Sequence, residues 1–242
     1  MRSWRLLSIL LRGRSTVLSS DLCISCPHPK TPEVHDDGDE CVRCRTCILK
    51  DCMSSVSKTS KDGESSLVDD DFSIVNFDSV TESYCKRVNR RVDLPRSADA
   101  LYCDRETLYL IEFKNGSLTK GLGKRLNSKL DEELGINLGQ RDALVEKCKD
   151  SVLICSDLWG KRTGWFREHC VFVLVYNGNK NQPTNQPASK LISDSIRKKA
   201  RFGLSGKLKG FCVKDVLTLT ESEFSGTLLP AWRDAMESRE DI

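Results

Sequence analysis

Three charged residues interrupt two short apolar runs in the stretch ADALYCDRETLYLIEFKNG, residues 98–116. They are Asp99, Glu112 and Lys114. The runs have the length and composition of β-strands, and the polar stretch DRET between them predicts a hairpin turn. A small domain usually fills such positions with apolar side chains, so the three charges are candidates for chemistry.

The register of this predicted hairpin decides whether the three charges meet. With Arg105 and Glu106 at the tip of the turn, Asp99 lies directly opposite Glu112. Directly opposed residues project to the same face of a sheet, with Cβ atoms about 5 Å apart. Lys114 is two residues beyond Glu112 and therefore joins that face. The other face of the second strand is predicted to pack into the core, through Tyr109, Ile111 and Phe113.

An acid pair beside a lysine suits phosphodiester hydrolysis. Two close carboxylates raise each other's proton affinity, and a bound divalent cation removes that penalty. Mg²⁺ takes one or two carboxylates together with waters and phosphate oxygens. We therefore expect Asp99 and Glu112 to hold Mg²⁺ or Mn²⁺, and Lys114 to position the attacking water and offset charge at the phosphate.

The elements around the hairpin predict an α/β fold. Helical periodicity marks residues 78–91 and 140–158, and the run CVFVLVY at 170–176 is typical of a central strand buried on both sides. Ser79 and Glu82 have the spacing of a capping box for the first helix. Basic residues are abundant in this part of the chain, in three groups that are candidates for contact with a phosphate backbone or for solvated helix faces: residues 86–91, 120–129 and 197–201.

This arrangement resembles the PD-(D/E)XK nuclease superfamily. The acid of its motif corresponds to Asp99, and its Glu-x-Lys corresponds to Glu112 and Lys114. The resemblance covers roughly residues 75–180 and implies a restriction-endonuclease-like core, a central mixed sheet flanked by helices in the order αβββαβ. It also implies a Mg²⁺-dependent nuclease acting on DNA in preference to RNA.

The match departs from the family pattern at one place and leaves other positions open. Ala98 precedes Asp99, so the Pro-Asp pair is absent. Some members use a carboxylate from the first helix, which would be Glu82 here. Some place a Gln or Lys in the helix after Glu-x-Lys, and the candidates here are Gln140 and Lys147.

Six of the twelve cysteines fall between residues 23 and 52. Two pairs with the spacing of zinc ligands predict a four-thiolate Zn²⁺ site that would fold this segment: Cys23, Cys26, Cys41 and Cys44. His28 and His35 are further possible ligands. The alternatives are an iron–sulfur cluster, because Cys47 and Cys52 continue the series, and thiols that bind no metal.

Composition divides the chain into three parts. Residues 1–55 form the Cys-rich N-terminal segment, residues 56–71 are expected to be a polar linker, and residues 72–242 the nuclease-like domain. The apolar run near the N-terminus is too short for a secretory signal, and no run is long enough to span a membrane. We expect a soluble, cytoplasmic protein that binds nucleic acid and no membrane.

Two hypotheses for function follow from the sequence. The first is a metal-dependent nuclease, whose biological role in repair, in defence or as a toxin the sequence does not separate. The second is a catalytically inactive nuclease-like fold that binds nucleic acid or protein. The two are distinguished by whether Asp99, Glu112 and Lys114 converge around an open cleft.

Overall fold

The computed structural model describes residues 49, 51–87, 94–104, 107–118, 136–181 and 202–240. Several sequence predictions lie outside these residues. They are the zinc ligands Cys23, Cys26, Cys41 and Cys44, the neighbouring His28, His35 and Cys47, and the basic residues 120–129 and 197–201. Cys52, the last cysteine of the alternative iron–sulfur run, is described, and its side chain is buried in the core.

Six strands form one mixed sheet. In chain order its strands are β1 (Met53–Ser55), β4 (Ser73–Asn76), β5 (Ala100–Cys103), β6 (Leu108–Lys114), β7 (Cys170–Tyr176) and β8 (Asp215–Thr220), and they lie in that same order across the sheet. The pairs from β1 to β6 are antiparallel, whereas β6–β7 and β7–β8 are parallel. A separate hairpin consists of β2 (Lys61–Asp62) and β3 (Ser65–Ser66).

Helices cover both faces of this sheet. The helices are α1 (Val56–Thr59), α2 (Phe77–Arg87), α3 (Leu138–Trp159), α4 (Thr163–His169), α5 (Ser205–Leu208), α6 (Glu221–Glu223) and α7 (Leu229–Glu240), with a π-helical segment at Phe224–Leu228. The core on one face includes apolar residues of α2, α3, α4 and α5. The core on the other face includes Phe224, Leu229 and Trp232 from the C-terminal helices. The α/β class and the flanked mixed sheet agree with the sequence prediction.

Both faces of β6 are buried, which corrects the prediction that only one face packs. Tyr109, Ile111 and Phe113 do contribute to one core, as expected. Leu108 and Leu110 contribute to the other, beneath α3. Glu112 lies on that second face with 0% of its surface exposed. The predicted acidic face is therefore an interior position beneath a helix.

Residues 56–71, predicted to be a polar linker, are part of the folded domain. Strand β1 pairs with β4 at the edge of the sheet, and α1 follows it directly. Val56, Leu67 and Val68 are buried, and the Ser60 hydroxyl donates to Val68 O and accepts from Val68 N–H. The segment is polar on average, yet a few apolar residues are enough to anchor it.

The order of elements also differs from αβββαβ. Strand β4 precedes α2, so the helix separates β4 from the β5–β6 hairpin instead of preceding all three strands. The helix predicted at 140–158 and the strand at 170–176 are present, and the helix predicted at 78–91 is present as far as the structure describes it, to Arg87. The β6–β7 pairing is parallel, as a crossover through α3 requires. The central sheet is thus the expected type, with a different connection at its antiparallel side.

The start of α2 corrects the predicted capping box. The helix begins at Phe77, and the Asn76 side-chain oxygen accepts from Ser79 N–H at 2.9 Å. Ser79 therefore lies inside the helix. By contrast, Thr220 and Glu223 form a capping box at the start of the last helical run. Among the helices that the structure describes, none is both long enough and apolar enough to cross a membrane.

Candidate functional site

The charged residues that the sequence singled out lie together at one end of the strands, along the edge of the sheet where β5 begins and β6 ends. The hairpin has the predicted register, with Ala100 paired to Ile111 and Cys103 to Leu108. Asp99, immediately before β5, therefore lies beside Glu112 near the end of β6. The end of β4 reaches the same edge, because Asn76 pairs with Ala100. Here the parallel strands β6, β7 and β8 also end, a common place for ligand sites in α/β sheets.

Lys147 joins the two carboxylates. Its Nζ lies 3.0 Å from Asp99 Oδ1 and 2.8 and 2.9 Å from Glu112 Oε1 and Oε2. Lys147 was one of two sequence candidates on this helix, and the structure brings it into the group. The Lys147 ammonium group is thus a cation surrounded by oxygens from two acids.

Lys114 completes the group from the same strand as Glu112. Its Nζ lies 2.7 Å from Glu112 Oε1, and 37% of its side chain is exposed, against 0% for Glu112. Lys114 therefore lies between the buried acid and solvent. This position allows its ammonium group to contact an incoming ligand without leaving Glu112.

The two oxygens of Asp99 have different partners. Oδ2 accepts the backbone N–H of Phe113 at 2.7 Å, and Oδ1 accepts from Lys147. The backbone of Asp99 is also fixed, because its carbonyl accepts from Phe77 N–H at 2.9 Å. Asp99 is therefore held between α2 and β6, with Oδ1 directed towards Lys147.

Ser151 couples the helix to the strand. Its hydroxyl donates to Lys147 O at 2.7 Å and accepts from Ala98 N–H at 2.8 Å, and the residue is fully buried. Ala98 precedes Asp99, so one hydroxyl links the turn that carries Lys147 to the backbone that carries Asp99. The N-terminal end of α3 is fixed by Asn137, whose side chain accepts from Gly139 N–H and Gln140 N–H.

Burial changes the proton affinity of Glu112. Desolvation, followed by repulsion from Asp99, raises its pKa to about 7, although Lys114 and Lys147 oppose the rise. A substantial share of Glu112 is therefore protonated near neutral pH when no further cation is present. A metal ion at this position would favour the ionised form.

The carboxylates in turn hold Lys147 in its charged form. Burial alone would lower the pKa of Lys147, but Glu112 and Asp99 together raise it above its ordinary value. The two groups therefore depend on each other: Lys147 remains charged where it contacts the acids, and Glu112 is ionised most readily while Lys147 remains in contact.

Asp78 is a site residue that the sequence reasoning missed. It lies in the first turn of α2, accepts from the Ser97 hydroxyl at 2.6 Å, and lines one cavity together with Asp99 and Lys114. Burial of its carboxyl group raises its pKa, and Asp99 adds to the rise. The predicted helix carboxylate, Glu82, is exposed one turn farther along α2. The signal for Asp78 was its place one turn before Glu82, on the same side of the helix.

Gln140 lies near the group without joining it. Its Nε2 donates to Ser117 O at 3.3 Å, which ties the start of α3 to the chain after β6. It lines a cavity of about 210 Å³ whose other lining residues include Lys114 and Lys147. Of the two sequence candidates on α3, only Lys147 contacts the carboxylates.

Two cavities meet at Lys114. The larger, about 350 Å³, is bounded by the site and by the segment around β2, including Ser60, Lys61 and Asp62. The smaller lies towards the start of α3 and is mostly lined by Ser117, Leu118, Gln140, Ala143 and Leu144. Lys114 and Gly116 line both. Access to the charged group is therefore possible from two sides of one lysine.

The donor set fits a hard divalent cation. Within the described residues, no three His, Cys, Asp or Glu side chains are grouped closely enough to hold a metal ion by themselves. Mg²⁺ commonly needs only one or two protein carboxylates, the rest of its shell being water and phosphate. Asp99 Oδ1 and the Glu112 oxygens already surround the Lys147 ammonium, so a cation could replace that ammonium if Lys147 moved aside.

Comparisons of this chain with protein-family models, with curated proteins and with solved structures gave no match. The family resemblance drawn from the sequence therefore rests on the residues themselves. The functional conclusion depends on the geometry of Asp99, Glu112, Lys114 and Lys147.

Proposed function

We propose that this protein is a Mg²⁺- or Mn²⁺-dependent nuclease of the PD-(D/E)XK type that hydrolyses phosphodiester bonds, with DNA as the preferred substrate. The observation that carries the proposal is the convergence of Asp99 and Glu112 on one cation position, with Lys114 between that position and solvent. Two acids and a lysine in this relation are the groups that metal-assisted phosphodiester hydrolysis uses.

Asp99 and Glu112 are the proposed metal-holding residues. When bound, the ion supplies charge stabilisation at the phosphate and makes a water more acidic. The chain contributes the orientation: the Phe113 N–H fixes Asp99, and the strand fixes Glu112 beneath α3. The Glu112 carboxyl group can bind a metal ion when it is ionised. We therefore expect metal binding to strengthen as pH rises through about 7.

Lys114 is the proposed catalytic cation. Its ammonium donates to Glu112 Oε1, and its partial exposure lets it also donate to a phosphate oxygen or to the attacking water. Lys147 is assigned to holding the acids, because its ammonium group contacts and neutralises both of them in this structure. We assign Asp78 to the wall of the substrate cavity beside Asp99.

The polymer substrate is inferred from the access to the site. Cavities on both sides of Lys114 suit a chain that continues in both directions from the reacting phosphate. Lys61 in the larger cavity adds a second positive charge for a neighbouring phosphate. The net charge of +3 is compatible with a polyanion.

A cleavage assay tests the proposal. End-labelled double-stranded DNA, single-stranded DNA and RNA are incubated with wild-type protein in Mg²⁺, in Mn²⁺ and in EDTA. We expect metal-dependent cleavage that falls about 100- to 1,000-fold in Lys114→Ala. Lys149→Ala is the matched control, since Lys149 lies on α3 outside the group and contacts Phe211. Equal cleavage by wild type and Lys114→Ala would contradict the assignment, as would cleavage that persists in EDTA.

One observation favours a second function, a nuclease-like fold that binds without cleaving. Each of the two acids and two lysines has an ion-pair partner within the group, and Glu112 is fully buried. Both features are also typical of an ion-pair network with a purely structural role. This reading predicts salt-sensitive binding of nucleic acid that does not depend on a divalent ion and is unchanged by Glu112→Gln. Binding that requires the metal would exclude it.

A further inference from the structure

The chain segments that follow β6 and β7 lie side by side just beyond Lys114, at the end of the strands where the carboxylate site is. Asn177, the first residue after β7, donates its N–H to Lys114 O at 3.0 Å. Asn181 is buried; its Nδ2 donates to Gly116 O at 3.1 Å, and its Oδ1 accepts from Leu118 N–H at 2.6 Å. The loop after β7 is therefore fixed against the backbone that carries Lys114.

Asn115, the residue after Lys114, joins this loop to the β2–β3 hairpin through its amide group. Its Oδ1 accepts from Asn177 Nδ2 at 2.9 Å and from Lys180 Nζ at 3.3 Å. Its Nδ2 donates to the hydroxyl of Ser65, in β3, at 3.3 Å. Because both ends of the amide have partners, its orientation is set, and the amide oxygen holds the Lys180 ammonium group close to the catalytic strand.

Lys180 is exposed, and no acid neutralises it within the part of the chain that the structure describes. Its backbone N–H donates to Asn177 Oδ1 at 3.0 Å, which fixes the point where its side chain begins. One acid does contact this loop, since Glu221 accepts from Gly178 N–H at 2.6 Å. A neutral amide offsets less of an ammonium charge than a carboxylate does, so Lys180 can still bind an anion.

Asn115 also lines the larger cavity at the carboxylate site, so the ammonium group that it holds lies beside that cavity. The cavity lining contains two lysines and three acids: Lys61, Lys114, Asp62, Asp78 and Asp99. Because the acids outnumber the lysines, a phosphate that enters needs further positive charge nearby. The proposed metal ion would supply it beside Asp99, and Lys180 supplies it beside Asn115.

We propose that Lys180, positioned by Asn115, binds a backbone phosphate of the nucleic-acid substrate next to the reacting phosphate. The inference rests on the proposed function, because it takes the cavity beside Asp99 and Lys114 as the path of the substrate. Phosphate contacts fix the register and orientation of a nucleic acid without reading its sequence. Lys180 therefore sets which phosphate lies over Lys114, and its loss should weaken binding to a similar degree for different sequences.

Salt-dependent binding tests the proposal. Fluorescently labelled duplex DNA and RNA are titrated with full-length protein at several salt concentrations, in EDTA and in Ca²⁺, which takes oxygen ligands as Mg²⁺ does. Fluorescence anisotropy gives the binding constant. Loss of one phosphate contact on duplex DNA makes the plot of log K against log salt concentration less steep by about 0.9. We expect this change in Lys180→Ala, with binding about two- to fivefold weaker, the range of an exposed ion pair.

Lys214→Ala is the matched control. Lys214 is also exposed, but it lies directly before β8, at the opposite end of the parallel strands from Lys114. Its loss removes the same charge and should leave the affinity and the salt dependence near those of wild type. Asn115→Ala should weaken binding as Lys180→Ala does, and the double variant should lose little more, because the amide acts through the lysine. Circular dichroism checks that each variant is folded.

The proposal is overturned if Lys180→Ala keeps the affinity and salt dependence of wild type, if Lys214→Ala changes them equally, or if wild type binds neither nucleic acid. Additive losses from Asn115→Ala and Lys180→Ala would overturn the positioning role of Asn115. Failure of the nuclease assignment gives a different result. If wild type binds with the expected dependence on Lys180 but cleaves nothing in Mg²⁺ or Mn²⁺, the phosphate contact stands and the nuclease function is wrong.

Discussion

Lys147 contacts both carboxylate oxygens of Glu112, at 2.8 and 2.9 Å. The acid is fully buried and the lysine side chain is only 22% exposed, so little water is available to solvate either charge if the contact is lost. The pair therefore defines the interior of the site, and Lys114 defines its outer side.

Removing Lys147 should destabilise the protein in a pH-dependent way. In Lys147→Met we expect the free energy of unfolding to fall by about 3 to 5 kcal/mol at pH 8, because the buried Glu112 carboxylate loses one of its two lysine partners and Asp99 loses its own. The loss should be smaller at pH 5, where Glu112 is protonated in the folded protein. Urea unfolding at both pH values measures this. Lys149→Met should change little at either pH, and an equal loss for both variants would contradict the assigned contact.

Glu112 should make stability fall as pH rises. Its pKa in the folded protein is raised from 4.5 to about 7, so the folded state binds the proton more tightly than the unfolded state between these values. The rise corresponds to roughly 3 kcal/mol of unfolding free energy, present below about pH 4.5 and lost as pH passes 7.

The comparison that isolates this effect is wild type against Glu112→Gln, measured by urea unfolding from pH 4.5 to pH 8. Glutamine cannot ionise, so the slope assigned to Glu112 should be missing from the variant. Parallel curves for the two proteins would show that Glu112 does not titrate in this range.

Ser151 is expected to be a positioning residue. Ser151→Ala leaves the buried Ala98 N–H without its acceptor, which costs about 1 to 3 kcal/mol of stability. It also releases the link between Lys147 and the Asp99 backbone. We expect Mg²⁺-dependent cleavage to lose apparent metal affinity in this variant. Ser222→Ala, at an exposed position, is the control. If a folded Ser151→Ala protein kept the metal dependence of the wild type, the positioning role assigned to Ser151 would be wrong.

Asp78 and Glu82 provide a matched pair on one helix. Asp78 shares a cavity with Asp99 and Lys114, whereas Glu82 is exposed one turn away. Asp78→Asn should reduce cleavage by about tenfold or more, as expected for a group beside the reacting phosphate, and Glu82→Gln should not. Initial cleavage rates at saturating Mg²⁺ measure both. A larger effect of Glu82→Gln would favour the sequence-based candidate instead.

The hairpin was the part of the site that sequence could predict. Alternation with period two and a polar turn fix which side chains share a face, and the observed register places Asp99 beside Glu112 as expected. Strand alternation could not show which of Lys147 and Gln140 contacts the acids, because the rotation of α3 over the sheet is set by packing across the core. Ser151 had no signal of its own, since its partners come from a distant segment.

The outer strands on the antiparallel side of the sheet were less predictable than the central strands. Strands β1 and β4 are short, and their residues, MSS and SIVN, carry little of the alternation that marks a strand. Strand β1 pairs with β4, and β4 pairs with β5, and neither partner can be read from the local sequence. For the same reason the position of β4 before α2 was missed, and with it Asn76 as the residue that caps the helix.

The proposed function depends on the claim that Asp99 and Glu112 together hold one divalent ion. Mn²⁺ titration of the full-length protein, followed by electron paramagnetic resonance, tests this claim most directly. At pH 8 we expect binding by wild type that Mg²⁺ displaces, that Asp99→Asn and Glu112→Gln each abolish, and that Lys149→Met leaves unchanged. Folded variants that bind Mn²⁺ as tightly as wild type, or a wild type that binds none, would contradict it.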